Sequence, residues 1–136
     1  MKVLHINDHY QPVGGAETVL FSVLDALEEK GVTNVVVHQH ATDVRTDWRH
    51  VYKIPGLGEP NSSQASIVAD TLGQIIQEET PDVIQIHDIG NPDVVEISRR
   101  YAPIVQSVYN HSFYCPGGAK YFPVLGRICE RPVGTG

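Results

Sequence analysis

The sequence predicts an α/β fold, an open parallel sheet with helices on both faces and the probable strand order 3-2-1-4-5. Two observations carry that expectation. Short apolar, β-branched runs alternate with longer stretches whose apolar residues recur at helical spacing. The turns between them are short and built from Gly, Pro and polar residues, as crossover connections between parallel strands require.

Lys2 to Ile6 is a first strand, with Val3, Leu4 and Ile6 apolar. A polar turn from Asn7 to Glu17 follows and contains Gly14 and Gly15. Without a Cβ, these glycines allow positive φ and close approach of a ligand, and amides opening the next helix favour anions. That helix begins at about Ala16, places Val19, Leu20, Val23, Leu24 and Leu27 on one face, and stops at Gly31. Asn34 to His38 reads as a buried strand, and Ala41 to Arg49 as a loop. Val51 to Ile54 is a short strand stopped by Pro55, with Gly56 to Pro60 as loop.

Ser62 or Ser63 caps a second helix whose face is Ile67, Val68, Thr71, Leu72, Ile75 and Ile76. After Pro81, Val83 to Ile86 is a fourth strand ending on His87-Asp88. Asn91-Pro92 opens a third helix with Val94, Val95, Ile97 and Tyr101 inward. Ile104 to Tyr109 is a fifth strand ending on Asn110-His111. Residues 1–111 are thus one domain, and 112–136 a Gly/Pro-rich tail without clear period.

Strand order 3-2-1-4-5 puts a switch point between the first and fourth strands, where open α/β sheets bind ligands. Asp8-His9 with Gly14-Gly15, His87-Asp88 and Asn110-His111 all converge there. A formal charge of −6 argues against a nucleic-acid partner. No run approaches the roughly 20 apolar residues of a membrane span, and the start is too short for a signal peptide, so a cytoplasmic chain is expected. Cys115 and Cys129 neither require nor exclude a disulfide; in the cytosol they would be thiols or ligands, and two are too few for a closed zinc site.

Several chemistries lack their signatures. There is no G-x-G-x-x-G, no P-loop lysine and no G-x-S-x-G elbow. A metal-dependent hydrolase using Asp8, His9, His87, Asp88, Asn110 and His111 as ligands at strand ends is an alternative, although no D-x-H pair or metal-spaced helix motif supports it. A non-catalytic nucleotide- or carbohydrate-binding module is another.

Four motifs carry a resemblance: Lys2-Val3-Leu4-His5-Ile6; Gly14-Gly15-Ala16-Glu17; Pro81-Asp82-Val83-Ile84-Gln85-Ile86-His87-Asp88; and His111 followed by Cys115-Pro116. In this order and at these separations the chain resembles the Rossmann-like amino-terminal half of GT-B-fold, family 4 retaining glycosyltransferases. The resemblance implies a two-domain enzyme whose amino-terminal half receives the acceptor, while a carboxyl-terminal half, missing from this chain, holds a nucleotide-sugar donor. It implies that Gly14 and Gly15 approach the donor diphosphate and sugar, and that His111 contacts the transferred sugar as the catalytic position. His9, Glu17, His87 and Asp88 fall on the acceptor side of the cleft. Ser112 departs from the family, where an aspartate is common. Developing oxocarbenium charge would be stabilised by the leaving diphosphate, with no covalent nucleophile in this chain.

No cofactor and no obligatory metal are expected. The expected partners are a nucleotide-sugar, a glycan or lipid-linked acceptor and the missing domain. The whole enzyme is cytoplasmic or peripheral at the inner membrane face by the same resemblance. The resemblance further implies that 112–136 is the truncated remainder of the first domain, so the chain alone is expected to be inactive and to self-associate through apolar surface that the missing elements would cover.

Overall fold

The structure, a computed structural model, describes residues 1–12, 14–41, 50–60, 63–109, 121–122 and 124–129. Five parallel strands form one sheet in the order β3-β2-β1-β4-β5: β1 (Lys2–His9), β2 (Thr33–His40), β3 (Val51–Lys53), β4 (Val83–Ile86) and β5 (Ile104–Gln106). Three helices connect them: α1 (Gly15–Glu28), α2 (Ala65–Glu79) and α3 (Pro92–Ser98). The expected architecture and strand order are therefore those observed.

Alternate residues of each strand feed two cores. Leu4, Ile6, Val35, Val37, Ile84 and Ile86 pack with Val68, Leu72, Ile75 and Ile76 of α2 and Val94 of α3. On the opposite face Val36 packs with Leu20 and Leu24 of α1 and with Tyr10. With both faces covered, β1 and β2 carry nearly continuous buried runs rather than a polar–apolar alternation.

Several boundaries differ from the sequence expectation, each for a visible reason. β1 and β2 continue to His9 and His40, because their polar ends stay in register, Asn7 opposite His38 and His9 opposite His40. Hydropathy does not register such pairs. β5 stops at Gln106, whose side-chain amide turns to the carbonyls of Ile86 and His87. Gln64, not Ser63, occupies the α2 N-cap, and Ser62 lies outside the described residues. Ile67 is exposed, and Tyr101 lies on the surface as a strap, its hydroxyl 2.8 Å from where a Cβ on Gly73 would stand. The 112–136 segment, expected to lack a period, contains a short antiparallel pair, β6 (Tyr121–Phe122) and β7 (Arg127–Ile128), with Gly126 at φ +61° between them.

Helix ends follow local chemistry. Gly31, at φ +73°, closes α1, its amide donating to the Glu28 carbonyl at 2.8 Å. Asn91 caps α3, accepting from the Asp93 amide at 3.1 Å while its own amide donates to the Leu57 carbonyl at 3.0 Å. One buried side chain thereby ties a helix start to the loop after β3. Asn91→Ala is expected to lower stability by about 1–2 kcal/mol through loss of the cap and of the Leu57 contact. Asn91→Asp should recover part of that, since it keeps the cap acceptor and loses the donor. Urea denaturation of the three proteins measures both steps.

At the amino ends of the strands sits an ionic cluster. The Glu79 carboxylate, 7 % exposed, accepts from Lys2 Nζ at 3.0 Å, His50 Nδ1 at 2.9 Å and the Tyr52 hydroxyl at 2.5 Å. No helix among the described residues is long and apolar enough to cross a membrane.

Candidate functional site

Between β1 and β4 the strand order reverses, and the polar residues expected there meet at the carboxyl ends. Asn7, fully buried, extends the junction beyond the strand ladder. Its Oδ1 accepts from the Asp88 amide at 3.0 Å, its Nδ2 donates to the His9 carbonyl at 2.6 Å, and the Asp8 amide donates to the Asp88 carbonyl at 3.2 Å. Asp8-His9 and His87-Asp88 are thus adjoining segments. Asn110 and His111 lie outside the described residues.

Gly14 and Gly15 follow β1 at the start of α1. Gly14 is the N-cap at φ −158°, an extended conformation open to any residue, so positive φ is not what the site requires of it. Space is the requirement. A Cβ on Gly14 would stand 2.9 Å from Oε2 of Glu17, whereas one on Gly15 would meet nothing within 4 Å. Glu17, buried in the first turn, folds its carboxylate back toward the N-cap. The positive end of α1 therefore faces a carboxylate on one side and open space at Gly15 on the other.

His9 is half-exposed. Its Nε2 is 3.5 Å from Asp8 Oδ2, and its ring stacks on His40 with centroids 5.1 Å apart. The loop after β3 closes over these ends. Gly58 donates its amide to Gln39 Oε1 at 2.6 Å, and its missing side chain leaves room for the Asp8 carboxylate, 3.0 Å from an ideal Cβ. Beside it lies a cavity of about 440 Å³ lined by Gln39, His40, Lys53, Pro55, Gly56, Glu59, Ser63 and Gln64. Sequence reasoning missed Gln39, His40, Lys53 and Glu59. Carrying the second strand two residues further would have put Gln39 and His40 at its carboxyl end.

His87 is fully buried. Its Nε2 meets His5 Nδ1 at 3.2 Å and its Nδ1 meets the Tyr109 hydroxyl at 2.7 Å, so the group reaching outward from this position is Tyr109. His5 Nε2 in turn meets Asn34 Oδ1 at 3.1 Å. Burial lowers His5 to a pKa of about 4, against a small opposing effect of the Asn34 bond. Burial, with the neighbouring His5, lowers His87 to about 4 as well. Both rings are neutral at physiological pH.

The arrangement brings polar strand ends together at a switch point, and among the described residues a Cβ at Gly15, where α1 begins, would meet nothing within 4 Å. Among the described residues no three His, Cys, Asp or Glu side chains lie close enough together to hold a metal ion, and His9 and His87 point into different surroundings. The chain was also compared with known proteins. The family model described as Glycosyltransferase Family 4 matches residues 13–133. No curated protein and no solved structure matches the chain.

Proposed function

We propose, from the premise that the chain belongs to glycosyltransferase family 4, that it forms the acceptor-side half of an enzyme moving a sugar from a nucleotide-sugar to a hydroxyl-bearing glycan or lipid-linked acceptor with retention. The family match over residues 13–133 carries this reading. The polar strand ends at the switch point and the open helix start at Gly15 support it, since a diphosphate could approach backbone amides there. In this reading Gly14 and Gly15 face the donor diphosphate, His111 orients the transferred sugar, and Asp8, His9 and Asp88 line the acceptor side, with Glu17 and His87 behind them.

Neutralisation of the leaving diphosphate falls to amides and to basic groups of a donor-binding half, so no divalent metal is required. The reaction takes place in a cleft between two halves, and this chain supplies one. The chain alone is accordingly inactive, and the whole enzyme acts in the cytoplasm or at the cytoplasmic side of a membrane.

Incubating the purified chain with nucleotide-sugars and following nucleotide release is expected to give no turnover, and joining it to a family 4 donor half to restore it. Anomeric proton couplings of the product then report retention or inversion. Turnover by the chain alone would overturn the two-halves reading, and an inverted product the retaining one.

A further inference from the structure

Four polar side chains on the α1 face of the sheet form one continuous line of hydrogen bonds, and its direction is set at the inner end. Asn34 Nδ2 donates to the Leu24 carbonyl of α1 at 3.2 Å, which leaves Asn34 Oδ1 facing His5 Nε2 at 3.1 Å. An amide oxygen only accepts, so His5 carries its proton on Nε2. Neutral His5 then has a bare Nδ1, and the partner at 3.2 Å, His87 Nε2, must donate to it. His87 Nδ1 is bare in turn and accepts from the Tyr109 hydroxyl at 2.7 Å. Asn34, His5 and His87 are each buried, whereas Tyr109 is half-buried, three residues beyond the end of β5. Its ring lies nearly parallel to that of His87, at 7°.

We propose that this buried line makes Tyr109 an acceptor-only recognition group at the carboxyl end of the sheet: its single proton is committed inward to His87, so its phenolic oxygen selects a hydroxyl donor, the chemistry of a sugar or polyol acceptor. The proposal rests on the glycosyltransferase reading for the identity of that acceptor. Asn34, His5 and His87 are positioning residues that act through Tyr109. Water would otherwise let a tyrosine hydroxyl rotate and donate outward, but here an outward donation would leave His87 Nδ1 buried without a partner. A ligand presenting only acceptors, such as a fully etherified sugar, is disfavoured at this point.

Long-range proton–nitrogen NMR of the chain at neutral pH tests the line itself. Both His5 and His87 are expected as the Nε2–H tautomer, and Tyr109→Phe is expected to move His87 Nδ1 toward the unbonded shift while leaving His5 nearly unchanged. An Nδ1–H tautomer at His87 would overturn the proposal at its root. Titration with methyl glucoside tests recognition. Saturable shifts of the His87 ring signals are expected, with an affinity weakened about tenfold or more in Tyr109→Phe and retained in Val108→Ala. Per-O-methylated methyl glucoside should produce none. No saturable shift with methyl glucoside, or equal shifts with its methylated form, would overturn the acceptor-only role. Turnover by the chain joined to a donor half is measured separately, so a failure here is distinguishable from a failure of the glycosyltransferase reading.

Discussion

Glu79→Ala is expected to destabilise the protein by about 2–3 kcal/mol, the largest stability effect of any single polar substitution considered. Burial alone would raise the Glu79 pKa, but hydrogen bonds from Tyr52, His50 and Lys2, with the charge of His50, outweigh it and hold the carboxyl at about 2. Removing the carboxylate leaves Lys2, His50 and Tyr52 around an empty acceptor at the join of α2, β1 and β3. The pH dependence follows with a definite sign. The folded pKa lies below the ordinary 4.5, so this stabilisation is complete above about pH 4.5 and is lost as pH falls toward 2. Urea denaturation at several pH values measures it. The gap between the native protein and Glu79→Gln should narrow steadily below pH 4.5, and a gap that is constant down to pH 2 would contradict the ionised carboxylate as its source.

Gly15→Val is expected to cut turnover about 100-fold in an enzyme that contains this chain and its donor-side half, with a melting temperature close to that of the native protein. A Cβ at Gly15 meets nothing within 4 Å, so the fold has room for it. A diphosphate approaching the α1 amides does not. Gly14→Val is a poorer probe, because its Cβ would press on Glu17 Oε2 at 2.9 Å and mix a packing effect into the rate. His111→Ala should lower turnover about tenfold by releasing the transferred sugar. Should the glycine turn be a connection only, Gly15→Val would leave both the melting temperature and the rate per folded molecule intact. Wild-type rates for both Gly15→Val and His111→Ala would remove this turn from the donor side.

The parts of this fold that depend on apolar burial were legible in the sequence. Val35-Val36-Val37 and the α2 face of Val68, Leu72, Ile75 and Ile76 read correctly because every strand and helix there contributes to one of two cores. Polar residues were harder to place. Asn7 accepts from the Asp88 amide, Gln39 from the Gly58 amide, and His40 stacks on His9, and such contacts between segments have no local period. The line from Asn34 through His5 and His87 to Tyr109 joins residues from four separate segments, so no window of sequence contains it. Glu79 was hidden for a related reason. It closes an amphipathic helix among charged neighbours, and only the approach of Lys2, His50 and Tyr52 distinguishes it from a solvated glutamate.

The central position of β1 also bears on how the chain folds during synthesis. β1 emerges from the ribosome first, yet its two neighbours arrive at very different times. Thr33 pairs with Lys2 early, whereas Val83, the partner of Val3, stands 80 residues beyond Val3 in the chain. Until β4 appears, one long edge of the central strand stays open, and His5 waits without its ring partner. Completion of the sheet is therefore a non-local event, and before β4 is made β1 has only its β2 edge to pair with. Chaperone contact during translation would be concentrated in that interval, between the release of α1 and the arrival of Ile86.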